Sequence, residues 1–63
     1  MRRHHINTIK SVAADNTGVS FRSIWGFRVV DSEELEDGSM RYLVTGNSDE
    51  SISGKIRAIV HLA

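Results

Sequence analysis

The sequence predicts a small, mainly β domain, built as an antiparallel five-stranded barrel or sandwich. Apolar and polar residues alternate over several short stretches, which is the pattern of half-buried strands. Five glycines recur about every eight residues, as expected of turns and bulges between short strands. The connections are too short for parallel crossovers, so neighbouring strands are expected to run antiparallel.

The first strand is predicted over residues 5–13, HINTIKSVA, where β-branched and polar residues alternate. Residues 14–18 read ADNTG. Asn and Gly tolerate positive φ, so this segment predicts a hairpin turn.

A second stretch, residues 19–30, has a period of two over more residues than a single strand usually has. Gly26 is therefore expected to be a bulge or bend, and a register shift there would change the face of the residues that follow it. Arg22 and Arg28 fall on the solvent face. The core face is predicted to hold the large apolar residues Val19, Phe21, Trp25 and Phe27.

The second half of the chain contains two further predicted strands. Residues 31–39 form an acidic loop or a single helical turn, and residues 40–46 form a strand whose inner face holds Met40, Tyr42 and Val44. Residues 46–49 predict a turn. Residues 49–63 fit both a strand and a helix, and their β-branched content favours the strand. If a helix began at about residue 49, the fold would instead be α+β, with a three- or four-stranded antiparallel sheet.

Length and composition predict a single domain over residues 1–63, with residues 1–4 as a flexible basic arm. The chain contains no cysteine, so neither a disulfide nor a thiolate metal site can stabilise it. Small cores are marginally stable without such help, which favours a homodimer. No apolar stretch has the length of a membrane span or a signal peptide, and we expect a cytoplasmic protein without membrane contact.

No constellation of residues predicts catalysis, a cofactor or a metal. Serines are present, but none lies in a nucleophile motif, and no phosphate-binding glycine loop occurs. His4 and His5 are adjacent and would point to opposite sides of a strand, so they cannot easily share an ion. We therefore expect a protein that is not an enzyme and binds neither cofactor nor metal.

Binding is the function that remains, and the charges are segregated along the chain. Residues 1–30 carry five cations against one acid, whereas residues 31–50 carry seven acids against one cation. The leading interpretation is a small accessory or regulatory protein that acts by contact with an unknown protein partner and self-associates. Its candidate contact residues are Ile24, Val30, Ile59, Glu33, Glu34, Glu36 and Asp37.

The alternative interpretation is a regulator that binds DNA or RNA through a basic sheet face. An overall pI near 6.8 is low for such a protein, and the acidic segment would have to point away from the ligand. The candidate phosphate contacts are Arg2, Arg3, Lys10, Arg22, Arg28, Lys55 and Arg57.

Overall fold

The computed structural model describes residues 3–63 and has an α+β fold, in which one helix packs on a three-stranded antiparallel sheet. The elements are α1 (Ile6–Thr17), a 3-10 turn (Phe21–Ser23), β1 (Trp25–Glu34), β2 (Met40–Asn47) and β3 (Lys55–Leu62). The predicted five-stranded barrel or sandwich is therefore wrong. The α+β alternative is confirmed in class and in its three strands, but the helix lies at the N-terminal end rather than after residue 49.

Helix α1 occupies the segment that was predicted to be the first strand. Its buried residues, Ile9, Ala13 and Ala14, recur at helical spacing, and the partly buried Val12 also packs against the core. The β-branched residues lower the intrinsic helix propensity of this segment. Packing of one apolar helix face on the sheet outweighs that preference, as is usual for helices in folded proteins.

The ADNTG segment ends this helix instead of forming a hairpin. Gly18 has a left-handed backbone with φ of 74°, and its N–H donates to the carbonyl oxygen of Ala14 over 2.9 Å. Glycine is the usual residue at this position because it adopts positive φ without steric cost. The same residues that indicate a turn in a β protein thus indicate a helix C-terminus here.

Strand β1 begins at Trp25 and contains two irregularities. Trp25 pairs with Asn47 and Arg28 pairs with Thr45, so Gly26 and Phe27 together oppose one residue of β2. Gly26 has φ of 64°, which makes this a bulge of the type with a left-handed glycine in its first position. A Cβ on Gly26 would lie 2.9 Å from Nδ2 of Asn47.

The bulge reverses the predicted face of Trp25. Phe27 and Val29 pack against the core, whereas Trp25 is 63% exposed. Phe21, in the preceding 3-10 turn, is 37% exposed. The prediction that Phe21 and Trp25 face the core is therefore wrong, and the expected change of face at Gly26 is confirmed.

Strand β2 is the centre of the sheet and agrees with its predicted pattern. Met40, Tyr42 and Val44 are buried on the helix side. Residues 55–62 form β3, so the preferred strand assignment for the C-terminal segment is confirmed over that range and a helix there is excluded. Ile56 and Val60 of β3 complete the two buried clusters beneath α1.

Candidate binding face of the sheet

The sheet has one face covered by α1 and one face without any covering element among residues 3–63. Alternate residues of each strand point to this second face, called the open face below. The pairing register aligns them in four cross-strand rows. The rows are Trp25–Asn47–Lys55, Arg28–Thr45–Arg57, Val30 with Asp31–Leu43–Ile59, and Glu33–Arg41–His61.

The first two rows form the basic end of the open face, defined by Trp25, Arg28, Thr45, Asn47, Lys55 and Arg57. Neighbouring strands lie about 4.8 Å apart and successive rows about 7 Å apart, so these side chains form one compact cluster. It holds three cations and no acid. Asn47 also donates from Nδ2 to the carbonyl oxygen of Trp25 over 3.4 Å, which links β2 to the tryptophan backbone.

The third row holds the acid Asp31 and three aliphatic residues, Val30, Leu43 and Ile59, which are together called the apolar row. A second irregularity places Val30 and Asp31 together opposite Leu43, and Val30 remains 58% exposed. Ile59 is 62% exposed. Leu43 and Ile59 line a shallow depression of about 120 Å³. Three neighbouring aliphatic side chains in partial contact with water are consistent with a contact surface.

The acidic segment lies at the other end of the sheet. Glu33 forms a salt bridge with Arg41 in the fourth row, and Glu36 and Asp37 lie between β1 and β2. Along the strand, roughly 25 Å separate Glu33 from Trp25. Within the acidic hairpin, residues 31–37, Asp31 lies in the third row, and the acids from Glu33 to Asp37 lie at the end of the sheet opposite the basic end.

Asp37 organises the tight turn between β1 and β2. Its Oδ1 accepts hydrogen bonds from the hydroxyl and the N–H of Ser39, over 2.6 and 2.9 Å. These bonds stabilise the carboxylate and hold the pKa of Asp37 below its usual value. Nε2 of His61 lies 2.8 Å from the Ser39 hydroxyl. Because Ser39 is buried and donates its proton to Asp37, this trio ties the turn to β3 and differs from a nucleophile that is activated by histidine.

A larger cavity of about 510 Å³ lies between the end of α1 and the loop that precedes β3. Val19 and Ile56 contribute apolar atoms to it, and Glu50 lies at its rim. The Glu50 carboxylate accepts from the N–H and the hydroxyl of Ser20, over 3.0 and 2.5 Å. These hydrogen bonds lower the pKa of Glu50. The carboxylate thus joins the loop to the start of the 3-10 turn.

The remaining predicted contacts are spread over other surfaces. Nζ of Lys10 lies 4.4 Å from the centroid of the Phe21 ring, on the helix side. Arg22 is exposed on the 3-10 turn, outside the strands, so it does not share a strand face with Arg28. Ile24 is 4% exposed and packs in the core, so the expectation that its side chain is exposed is wrong.

Of the predicted basic arm, Met1 and Arg2 lie outside the described residues, and Arg3 is exposed. His4 contacts the C-terminal strand region: its Nε2 donates to the main-chain oxygen of Ala63 over 3.0 Å. Its Nδ1 then accepts from the hydroxyl of Tyr42 over 2.9 Å. Arg3 therefore lies beside the end of the sheet that carries His61, far from the basic end.

Sequence reasoning did not find Trp25, Leu43, Thr45 or Asn47 as parts of a binding face. The period-two pattern of β2 already places Leu43, Thr45 and Asn47 opposite its buried residues. The signal for Trp25 was Gly26, because only a register shift at that glycine separates the tryptophan from Phe27.

No family model matches this chain, and no curated protein or solved structure shows significant similarity to it. Within residues 3–63, the helix is too short to cross a membrane.

Proposed function

We propose that this protein is a non-enzymatic binding protein that holds single-stranded nucleic acid on the basic end of its open face. The observation that carries the proposal is the position of Trp25, which is 63% exposed beside Arg28, Lys55 and Arg57. A regulatory or accessory role would follow from such binding.

The chemistry of these residues fits a single strand. An exposed indole offers a flat surface on which a base can stack, and base–aromatic stacking is worth about 1–3 kcal/mol per base. Arginine and lysine side chains contact phosphates without regard to sequence. Asn47 and Thr45, between the cations, supply neutral polar groups that can hydrogen-bond to a base or sugar. Bases in a duplex are already stacked on both sides, so a stacking surface favours unpaired ones.

The charge distribution also supports this proposal. The net charge is zero, and a uniformly mixed surface of that kind would repel a polyanion about as much as it attracts one. Here the cations of β1 and β3 converge on one end, and Glu33 lies roughly 25 Å from Trp25 along the strand. That separation exceeds the Debye length of about 8 Å at physiological ionic strength, so the acids from Glu33 onward act only weakly on Trp25 and its row. Two acids lie nearer to the cations: Asp31 is one row away, and Glu50 lines a cavity with Lys55 and Arg57.

Trp25 provides a direct experiment because it is the only tryptophan in the chain. We expect single-stranded oligonucleotides to quench its fluorescence as a base stacks on the indole. With three phosphate contacts, the logarithm of the binding constant should fall with the logarithm of salt concentration with a slope of about −2. Unchanged tryptophan emission, with no binding by anisotropy at low salt, would rule the proposal out.

A pair of charge reversals tests the location of the site. Arg28→Glu should abolish the quenching, because it places an acid in the second row of the basic end. Arg22→Glu is the matched control, since it makes the same charge change on the 3-10 turn. Equal losses for the two variants would indicate binding to the charge of the whole molecule and would contradict a site on the open face.

The apolar row favours a second function, contact with another protein. Val30, Leu43 and Ile59 form an aliphatic strip between charged rows, and this resembles the apolar centre and polar rim of a protein interface. The acidic hairpin would then offer the exposed side chains of Glu36 and Asp37 to a basic partner. Leu43→Asp would abolish such a contact and leave quenching by oligonucleotides at the basic end, which separates the two functions.

A further inference from the structure

The two edges of the sheet differ in regularity. The strand order is β1-β2-β3, so β1 and β3 each have one edge without a partner strand in the described chain. Strand β1 is interrupted by two register shifts, whereas β3 pairs with β2 over eight successive residues without a shift. Bulges protect an edge from further pairing, and a regular edge remains able to accept another strand.

One hydrogen bond shows which residues of β3 direct their backbone N–H and C=O groups toward β2 and which direct them outward. The Ser48 N–H donates to the Gly54 carbonyl oxygen over 3.1 Å at the start of the β2–β3 pairing. Because antiparallel pairs alternate between bonded and non-bonded types, the even-numbered residues from Ile56 onward direct their N–H and C=O groups toward β2. The odd-numbered residues direct theirs outward. These outward residues are Lys55, Arg57, Ile59 and His61.

Both ends of this outward row already have partners. The carbonyl oxygen of Lys55 accepts from the hydroxyls of Ser51 and Ser53, over 2.7 and 3.1 Å. At the other end, the main-chain oxygen of Ala63 accepts from His4. Within residues 3–63, the outward N–H and C=O groups of Arg57, Ile59 and His61 have no hydrogen-bond partner.

We propose that a second copy of this chain pairs with these three residues, β3 against β3, about a two-fold axis at Ile59. In this register Ile59 pairs with Ile59 of the second copy, and Arg57 pairs with the second copy's His61. Antiparallel bonded pairs exchange both hydrogen bonds. Every outward N–H and C=O group of the three residues therefore gains a partner in each copy.

Self-complementarity favours a second copy over another strand. The unpaired stretch is centred on Ile59, so a two-fold axis maps it onto itself. Paired residues share a face, so the helices of both copies lie on the same side and the open faces join. A register with its axis at Arg57 would place Arg57 against Arg57 and would require the Lys55 carbonyl, which already accepts two hydroxyls. A register with its axis at His61 would require the oxygen of Ala63, which already accepts from His4.

This register would also cover an exposed apolar side chain of the β3 edge. Ile59 is 62% exposed, and pairing would bring the two Ile59 side chains together as a cross-strand pair. The apolar row of one copy would then continue into that of the other across a six-stranded sheet. Arg57 belongs to both sites, but its backbone would pair with the second copy while its side chain stays on the open face. The dimer and the nucleic-acid site can therefore be tested separately.

The test uses a substitution that removes an outward N–H, with a control for the accompanying loss of the isoleucine side chain. Proline is tolerated on an edge strand where its missing N–H faces solvent. Ile59→Pro should therefore leave the β2–β3 ladder intact and convert a dimer to a monomer in sedimentation equilibrium. Ile59→Thr is the matched control, because it removes apolar surface but keeps the N–H, and it should retain the dimer.

Amide hydrogen exchange gives a second readout on the unmodified chain. In a concentrated sample the N–H of Ile59 should exchange far more slowly than in a dilute one, because only the dimer protects it. The N–H groups of Ala58 and Val60, bonded to β2, should be protected at both concentrations. A monomer at every concentration, a dimer with an unprotected Ile59 N–H, or a dimeric, folded Ile59→Pro variant would overturn the proposal.

Discussion

The two faces of the sheet differ in what their apolar residues do. On the helix side, Val44 and Val60 are completely buried beneath α1, and their contacts hold the fold together. On the open face, Trp25, Val30 and Ile59 are each more than half exposed and contribute little to the core. A chain of 63 residues thus leaves its largest side chain outside the core. Neighbouring exposed apolar side chains that contribute little to the core are the reason for proposing binding at this face.

The largest expected effect tests this contrast with one chemical change at two positions. Val60→Ala removes two methyl groups from a fully buried site and should lower the free energy of unfolding by about 2–3 kcal/mol. Val30→Ala makes the same change at a 58% exposed position and should alter stability by no more than about 0.5 kcal/mol. Urea denaturation of both variants measures the difference, and equal losses would contradict the division between the faces.

A smaller effect is expected at the bulge that sends Trp25 to the open face. Gly26→Ala forces a side chain into a left-handed backbone and against the amide of Asn47, and should cost about 1–3 kcal/mol. Gly38→Ala is the control, because its φ is 87° but a Cβ there meets no atom within 4 Å. We expect Gly26→Ala to shift the tryptophan emission and Gly38→Ala to leave it unchanged. An unshifted spectrum for the folded Gly26→Ala variant would mean that the bulge does not position Trp25.

The hydrogen bonds that Asp37 accepts in the acidic hairpin should make the stability of the protein depend on pH. The Ser39 hydrogen bonds lower the pKa of Asp37 in the folded state, so their stabilisation is present above the ordinary carboxyl pKa, near 3.8. It is lost as the pH falls through the lower, folded-state value. Ser39→Ala should therefore be less stable than the wild type at neutral pH. This deficit should shrink as the pH falls below about 4. A deficit that is constant with pH in thermal melts would show that Asp37 is not the group involved.

The smallest expected change in stability is at Trp25. Trp25→Ala should change the free energy of unfolding by about 0.5 kcal/mol or less, because the side chain is largely in water. Binding of fluorescein-labelled oligonucleotides by anisotropy should nevertheless weaken at least tenfold, if one stacked base is worth about 1.4 kcal/mol or more. A large loss of stability would indicate that Trp25 packs in the core, and the main support for the proposed binding face would be lost.

Some of this architecture can be predicted from the sequence alone. The alternation in residues 40–46 correctly gives the buried face of β2, and the β-branched residues of the C-terminal segment correctly favour a strand. Period-two patterns are reliable where one face is buried and the other meets water. The assignment of residues 5–13 failed because short apolar runs fit both periods, and contact with the sheet decides between them.

The binding face was only partly predictable for a related reason. Arg28, Lys55 and Arg57 lie on strands as predicted, whereas Lys10 lies on α1 and Arg22 on the 3-10 turn, in segments that were predicted to be strands. Ile24 was expected to be exposed on a strand that begins at residue 19, yet β1 begins at Trp25 and Ile24 packs in the core before it. The differences at Arg22 and Ile24 depend on where β1 begins, and the difference at Lys10 depends on the formation of α1.

By itself, the sequence determined strand β2, the glycine positions where the chain could bend, and the segregation of acids from bases, and it favoured a strand over a helix at β3. Those features depend on side-chain alternation and local backbone freedom, which act over a few residues. Only the tertiary structure decided that α1 is a helix and that Trp25 lies with three cations on an open face. Both outcomes depend on contacts between distant parts of the chain: α1 with β3, and the bulge of β1 with Gly46 and Asn47 of β2.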